Sequence, residues 1–186
     1  PIYNNYNLVS NSGVVATDTT GVGTARDYLA ACEYGIDKAI FGYGNVSATV
    51  YSMTNLVSNV GVIGTDVAGV GTARYILAAC EYGEDKGIFG FGDTTGYVSL
   101  TNLVSNAGVV ATDVTGVGTA RGYLAACSYG GDKGIFGFGD TGSYTAATNL
   151  VSNAGVVATD VTGVGTARQD LAACDYGGDK GIFGFG

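Results

Sequence analysis

The sequence predicts an all-β protein, a four-bladed β-propeller in which each blade is a four-stranded antiparallel sheet. Three observations support this prediction. The phrase Asn-Leu-Val-Ser-Asn begins at Asn7, Asn55, Asn102 and Asn149, at spacings of 48, 47 and 47 residues. Each repeat contains several short strand-like runs, and a period of about 40–50 residues with such runs is typical of a propeller blade. The chain also begins partway through one repeat and ends partway through another.

The third repeat shows how a blade divides into four strands, named a to d. Strand a covers residues 124–129, and strand b covers residues 133–138 after the turn formed by residues 130–132. Strand c covers residues 148–152, and strand d covers residues 155–159. An alternative stays open for the region of strand a. Residues 24–35 are rich in alanine, begin with a threonine and end with a glycine, which also suits a short helix.

The two chain ends are complementary parts of one repeat. Residues 6–17 match strands c and d, and residues 171–185 match strands a and b. We therefore expect one repeat domain over residues 1–186, closed by a blade that combines about residues 1–20 with residues 168–186. Such pairing removes the free sheet edges that an open array leaves exposed. We expect a closed monomer. One alternative is an open array of repeats, and another is a dimer in which two chains merge into one ring.

The order of features within a repeat resembles a kelch-type β-propeller repeat. Arg121 is followed by two variable residues, the small-residue run Leu-Ala-Ala-Cys, a turn, and a strand ending in Gly137-Phe138-Gly139. The repeat departs from the kelch pattern because it has no Gly-Gly doublet after strand b and the chain has no tryptophan. A propeller of the regulator-of-chromosome-condensation type is also similar. Either resemblance implies a propeller, and neither implies a ligand.

The charges divide a constant framework from variable surfaces. All eight Lys and Arg residues occupy repeated positions and are balanced by eight repeated Asp residues, so the net charge of −8 comes from positions that differ between repeats. The antiparallel topology groups variable residues on two rims of the ring. One rim is predicted to carry Asp27, Tyr28, Tyr75, Ile76, Tyr123, Gln169 and Asp170. The opposite rim is predicted to carry Glu33, Glu81, Glu84 and Asp175.

These rims predict a non-catalytic scaffold that binds a protein or a glycan. A rigid frame that presents variable loops is a common design for recognition, and tyrosine is a favoured residue on binding surfaces. The acidic charge argues against nucleic acid as a partner. Three alternatives stay open: neutral drift of exposed positions, a purely structural protein of natural or designed origin, and a thiol site at the ring axis.

The residues needed for catalysis or metal binding are scarce, so we expect neither an enzyme nor a bound cofactor. The chain has no histidine, which is the commonest general base. Its four cysteines, at Cys32, Cys80, Cys127 and Cys174, stand at one position per repeat with no Cys-x-x-Cys pair. We expect them to be buried thiols, with a site for a soft metal as the alternative.

The sequence does not identify the compartment of the protein. No signal-peptide pattern and no membrane-spanning run of about 18 apolar residues is visible. Free thiols favour a reducing compartment or the interior of a virion.

Overall fold

The computed structural model describes all residues from 1 to 186, and it confirms that the protein is all-β. It contains thirteen strands and no helix. The alternative of a helix over residues 24–35 is therefore wrong, because a strand occupies most of its second half. The strands are β1 (Ala30–Tyr34), β2 (Lys38–Gly42), β3 (Asn45–Val46), β4 (Thr49–Val50), β5 (Thr54–Val57), β6 (Ala78–Tyr82), β7 (Lys86–Gly90), β8 (Thr101–Val104), β9 (Ala125–Tyr129), β10 (Lys133–Gly137), β11 (Thr148–Val151), β12 (Ala172–Tyr176) and β13 (Lys180–Gly184).

Each complete repeat forms a small antiparallel sheet. The first sheet has the order β1-β2-β5, the second β6-β7-β8 and the third β9-β10-β11, while β3 and β4 form a separate two-residue ladder. The register is conserved between the sheets, with Ile40 opposite Leu56, Ile88 opposite Leu103, and Ile135 opposite Leu150. The predicted strands a, b and c therefore correspond closely to observed strands.

The predicted strand d is present only as two isolated bridges in each sheet. In the third sheet these bridges join Val151 to Val157 and Thr148 to Val161. Between them, Asn149 donates from Nδ2 to the Ala158 carbonyl and to Asp160 Oδ1. The ladder is interrupted because the Asn149 side chain, and not a backbone amide of the neighbouring strand, donates to the Ala158 carbonyl. The expected continuous strand over residues 155–159 is thus replaced by a bridged, irregular segment.

The sheets are joined side by side through their innermost strands, β1, β6, β9 and β12, each of which contacts the next. Aromatic residues pack across each junction. Tyr43 meets Phe89 with ring centroids 5.1 Å apart, and Phe91 meets Phe136 at 5.2 Å. Gly90 makes this approach feasible, because a Cβ added there would lie 2.6 Å from the Phe136 ring. The hydrophobic core is therefore distributed over these junctions.

The closing blade expected from the sequence is not identified among the sheets and stays a prediction. The hairpin β12–β13 is a two-stranded sheet, and no bridge or hydrogen bond joins it to residues 1–20. These residues, hereafter the N-terminal segment, form their own bridges, Tyr6 to Thr19 and Val9 to Val15. Asn4 Nδ2 holds the segment against its own repeat by donating to two carbonyls, those of Gly21 and Gly23. The segment packs against the first repeat, where Leu8 lies beside Gly61. No helix capable of crossing a lipid bilayer is present.

Candidate functional site

Four equivalent residues, one from each repeat, line a single cavity beside the N-terminal ends of the innermost strands. Tyr28, Ile76, Tyr123 and Asp170 line a cavity of 280 Å³ whose floor consists of the leucines that follow them. The floor residues are Leu29, Leu77, Leu124 and Leu171. We call this feature the axial mouth. The floor residue is leucine in every repeat, whereas the residue before it is Tyr in two repeats, Ile in one and Asp in one.

The backbone of the axial mouth is held in an unusual conformation. Tyr28, Ile76, Tyr123 and Asp170 have φ values of 51°, 49°, 54° and 56°. This left-handed region is uncommon for residues other than glycine, and it is especially costly for a β-branched residue such as Ile76. Such conformations persist where the surrounding structure enforces them, and they cluster at functional sites.

A belt of hydrogen bonds enforces this conformation. The Ile76 amide donates to the Tyr28 carbonyl at 3.0 Å, and the Tyr123 amide donates to the Ile76 carbonyl at 3.1 Å. The Asp170 amide continues the belt by donating to the Tyr123 carbonyl at 3.1 Å. The mouth is therefore shaped by the junctions between repeats.

Further aromatic and acidic groups border the axial mouth. Tyr28 meets Tyr75 edge to face, with ring centroids 6.2 Å apart. The Tyr97 hydroxyl donates to Asp140 Oδ2 at 2.8 Å, and burial together with this bond raises the pKa of Tyr97. Burial also raises the pKa of Tyr123, which neighbouring tyrosines and carboxylates raise further. Both phenols therefore stay protonated at neutral pH.

The structure groups most of the predicted residues of this rim. Tyr28, Ile76, Tyr123 and Asp170 line the cavity, and Tyr75 contacts Tyr28. Gln169 donates to Asp170 Oδ2 at 2.8 Å, and Asp27 pairs through its backbone with Asn45. The sequence-based prediction missed the floor leucines and the Tyr97–Asp140 contact. The constant leucine before every strand a was the available signal for the floor.

A second cavity, of 370 Å³, lies further along the innermost strands, towards their C-terminal ends. We call it the thiol channel. It is lined by residues of all four innermost strands, including the predicted Glu33, Glu81 and Asp175. Burial raises the pKa of Glu81, and the nearby Glu33 and Asp175 raise it further. The predicted Glu84 does not line this channel. It lies in the turn after β6 with a φ of 68°.

The four cysteines line the thiol channel, but their environments differ. Cys32, Cys80 and Cys127 are buried, and Cys174 is exposed. Burial raises the pKa of Cys32 to about 12 and that of Cys127 to about 11. The pKa of Cys80 is also well above its ordinary value because of burial. These three side chains are neutral thiols at physiological pH. No group of three or more His, Cys, Asp or Glu residues has a geometry that could hold a metal ion.

The repeated arginines are structural groups inside the junctions. The side chain of Arg74 is inaccessible to solvent, donates to Asn102 Oδ1 at 2.6 Å, and lies 4.3 Å above the Tyr43 ring. Its paired acid, Asp113, lies 3.8 Å away and accepts bonds from the Thr72 amide and hydroxyl. The sequence analysis did not predict the asparagine bond. An arginine enclosed in this way is not available to an anionic ligand.

The fold and site define an all-β repeat protein with a cavity lined by residues of all four repeats. Comparison with known proteins finds no protein-family model and no curated protein that matches the chain. Its function therefore has to be inferred from the site.

Proposed function

We propose that this chain is a non-catalytic binding scaffold that presents the axial mouth to a partner protein. One observation carries the proposal: a position that varies between near-identical repeats converges, in all four, on one cavity. Tyr28, Ile76, Tyr123 and Asp170 give this cavity a mixed aromatic, aliphatic and acidic rim above a constant apolar floor. A concave apolar floor with a few polar groups at its edge is typical of a binding site.

The chemistry of the mouth favours a protein ligand with basic and apolar side chains. The neighbouring acids include Asp27, Asp140 and Asp170, while the repeated arginines face the junctions. Tyrosine side chains provide large contact areas at low entropic cost. Complementary charge would also steer a basic partner to this surface.

The raised pKa values of the buried thiols and of Tyr97 argue against a catalytic role for these side chains. A nucleophilic cysteine needs a lowered pKa, and Cys32, Cys80 and Cys127 have the opposite shift because they are buried. The Tyr97 phenol is likewise held in its protonated form by burial and by Asp140. None of these four side chains is thus an activated nucleophile or base.

We also propose that the repeats are blades of a kelch-like propeller, with the strands of four blades in each chain. Supporting this, all four innermost strands line the thiol channel, and three junctions between neighbouring strands are equivalent. The fourth blade would combine β12 and β13 with the two bridged strands of an N-terminal segment. This arrangement gives every sheet the same composition.

A displayed random-peptide library tests the binding proposal. Panning against the purified chain should enrich peptides that carry Lys or Arg beside apolar residues. The double variant Tyr28→Ser/Tyr123→Ser should weaken their binding at least about tenfold, as expected when aromatic hot spots are removed. Tyr176→Ser is the matched control, because Tyr176 is half-exposed at the C-terminal end of β12, away from the mouth.

Three outcomes would contradict the proposal. Enriched peptides whose binding survives the double variant would exclude the axial mouth as the site. A blank peptide panel with reproducible hits on a glycan array would favour a glycan ligand. A blank result on both would favour a purely structural protein.

A further inference from the structure

The free edge of β13 lacks the partner strand that its equivalents have. In the third sheet, β10 pairs on one side with β9 and on the other with β11. β13 pairs only with β12, although residues 176–186 have the same sequence as residues 129–139. We propose that the β12–β13 hairpin binds the N-terminal segment of a second copy of this chain, which adds the missing strands.

The repeats supply the register of this pairing. Residues 6–9 match residues 148–151, because Tyr6 bridges to Thr19 as Thr148 bridges to Val161. Ile135 lies opposite Leu150 in the third sheet, so Ile182 of one copy lies opposite Leu8 of the other. Exposed strand edges are ready templates for such strand addition.

The polar groups at the two ends are complementary. Inside the third sheet, Arg121 Nη2 donates to Asn149 Oδ1 at 2.7 Å. The equivalent Arg168 donates only to the Thr166 carbonyl and has no asparagine partner. At the other end of the chain, Asn7 uses its Nδ2 to bond Asp18 and accepts nothing at Oδ1. An Arg168–Asn7 bond between copies would reproduce the interior pattern.

Two further polar contacts are missing in the same way. The Thr119 hydroxyl and amide donate to Asp160 within the third sheet, and the corresponding groups would be Thr166 of one copy and Asp18 of the other. In the same sheet, Asn153 donates to Asp132 Oδ2 at 2.9 Å. Asp179, the equivalent of Asp132, binds only Lys180. Asn11, the equivalent of Asn153, has no side-chain partner.

The Phe185 ring and a cavity at the first repeat are also complementary. Phe138 is 7% exposed and packs against Arg168, Leu171 and Phe183 of the next repeat. Its equivalent Phe185 is 93% exposed. The first repeat has a cavity of 140 Å³ lined by the corresponding residues, among them Arg26, Leu29 and Phe41. Arg26 is also the one interior arginine with no ring above it.

A second copy is the occupant that this structure favours. The chain's own N-terminal segment is already seated on the first repeat, where Leu8 lies over Gly61 as Leu56 lies over Gly108. No hydrogen bond joins the two ends of the same chain. Both halves of the interface are therefore available on every copy, and they differ from each other. Association of this heterologous kind is head-to-tail, and it closes into a ring of copies or extends.

Solution mass is the first test. Light scattering on the purified chain over a range of concentrations should show particles of two or more copies that dissociate on dilution to 18.7 kDa. Phe185→Ala should raise the dissociation constant at least about tenfold, because it removes an aromatic anchor. Ile36→Ala is the matched control, since Ile36 is 79% exposed in a turn outside the proposed interface. A particle of 18.7 kDa at every concentration would overturn the proposal.

Cross-linking tests the register and separates pairing between copies from pairing within one chain. One copy carries Ile182→Cys and the other Leu8→Cys, both with Cys174→Ser, and only one copy is tagged. Opposed residues of a ladder are close enough for a disulfide, so a tagged–untagged adduct should form. Val22→Cys replaces Leu8→Cys in the control. A single chain with both cysteines that links only to itself would show intramolecular closure and refute the proposal. These readouts need no ligand, so they are independent of the peptide experiment.

Discussion

Residues 129–139 and 176–186 have the same eleven-residue sequence in two different settings. Both form the same hairpin, with Ile135 opposite Cys127 and Ile182 opposite Cys174. Their backbones also agree, since φ is 63° at Phe138 and 64° at Phe185. Their burial does not agree: Phe138 is enclosed, whereas Phe185 is almost fully exposed. Hairpin geometry is thus a local property of this sequence, whereas burial depends on the next repeat.

This difference indicates where the stability of the molecule resides. In repeat proteins, each unit gains much of its stability from the interfaces with its neighbours. The third repeat has a neighbour on each side, while the C-terminal hairpin has one. Equivalent substitutions in the two regions should therefore have unequal effects.

The largest contrast is expected between Arg121→Ala and Arg168→Ala. Arg121 is fully buried, bonds Asn149 and the Phe138 carbonyl, and burial lowers its pKa to about 10. Its removal should lower the free energy of unfolding by about 3–5 kcal/mol, because buried partners lose their donor. Arg168→Ala should cost about 1 kcal/mol, mainly from its contact with the Phe138 ring.

Urea unfolding of both variants, under conditions where copies are dissociated, measures this contrast. Arg121→Lys is the control for charge, and it should recover only part of the loss because lysine lacks the forked donor geometry. Equal losses for Arg121→Ala and Arg168→Ala would show that the junction does not determine the effect.

A smaller contrast is expected between Gly90→Ala and Gly184→Ala. A Cβ at Gly90 would lie 2.6 Å from the buried Phe136 ring, whereas nothing lies within 4 Å of a Cβ at Gly184. Overpacking of this kind costs about 1–3 kcal/mol, so Gly90→Ala should destabilise the protein by that amount. Gly184→Ala should change the stability of the dissociated chain by less than about 0.5 kcal/mol. A Gly90→Ala variant with the melting temperature of the parent would contradict the described junction.

Much of the repeat architecture was predictable from the sequence. The predicted strands over residues 133–138 and 148–152 agree with β10 and β11 to within one residue. Strand d was predicted wrongly because Asn149 competes for its backbone partners, a tertiary effect that local propensity does not reveal. The sequence showed that the two chain ends carry complementary strands of one repeat. Whether these strands meet within one chain depends on the angles between neighbouring sheets at three junctions, which the sequence does not reveal.

The candidate site was predictable where it depends on topology. Antiparallel strands place residues before every strand a on one rim, which grouped Tyr28, Tyr123 and Asp170 correctly. The same argument placed Glu84 on the rim of Glu81, but Glu84 does not line the channel, whereas the equivalent Gly131 and Gly178 do. Glu84 has a positive φ like these two glycines, and their presence at the equivalent position is the signal in the sequence for that conformation.

The pH dependence of stability should distinguish Asp113 from its N-terminal equivalent, Asp18. Burial tends to raise the pKa of Asp113, but bonds from Thr72 and Asn102 and the charge of Arg74 outweigh burial, so the pKa is lowered in the folded state. A carboxylate with a lowered pKa stabilises the fold fully above its unfolded pKa of about 4. That contribution is lost as the pH falls through the lower, folded-state value.

Asp113→Asn should therefore cost about 1–2 kcal/mol at pH 7, because bonds to an ionised group are replaced by weaker ones. The cost should diminish as the pH falls below about 4, where the parent carboxylate also becomes neutral. Asp18→Asn should have a much smaller effect in the dissociated chain, since Asp18 is exposed and accepts a bond only from Asn7. Guanidinium titrations at pH 7 and pH 3 measure both terms, and a cost for Asp113→Asn that is equal at the two pH values would contradict this assignment.

Thiol labelling perturbs the fold least and compares all four repeats at once. In dilute native protein, one cysteine should react readily with a thiol reagent, and mass mapping should identify it as Cys174 because the other three are buried. The buried thiols are protected twice, by lack of access and by pKa values that keep them protonated, and Cys174→Ser should leave only slow labelling. All four should react after denaturation. Rapid labelling of Cys80 in the native protein would mean that the second and third repeats separate readily. It would contradict the contrast drawn between the interior junctions and the C-terminal hairpin, because that contrast depends on stable burial inside the junctions.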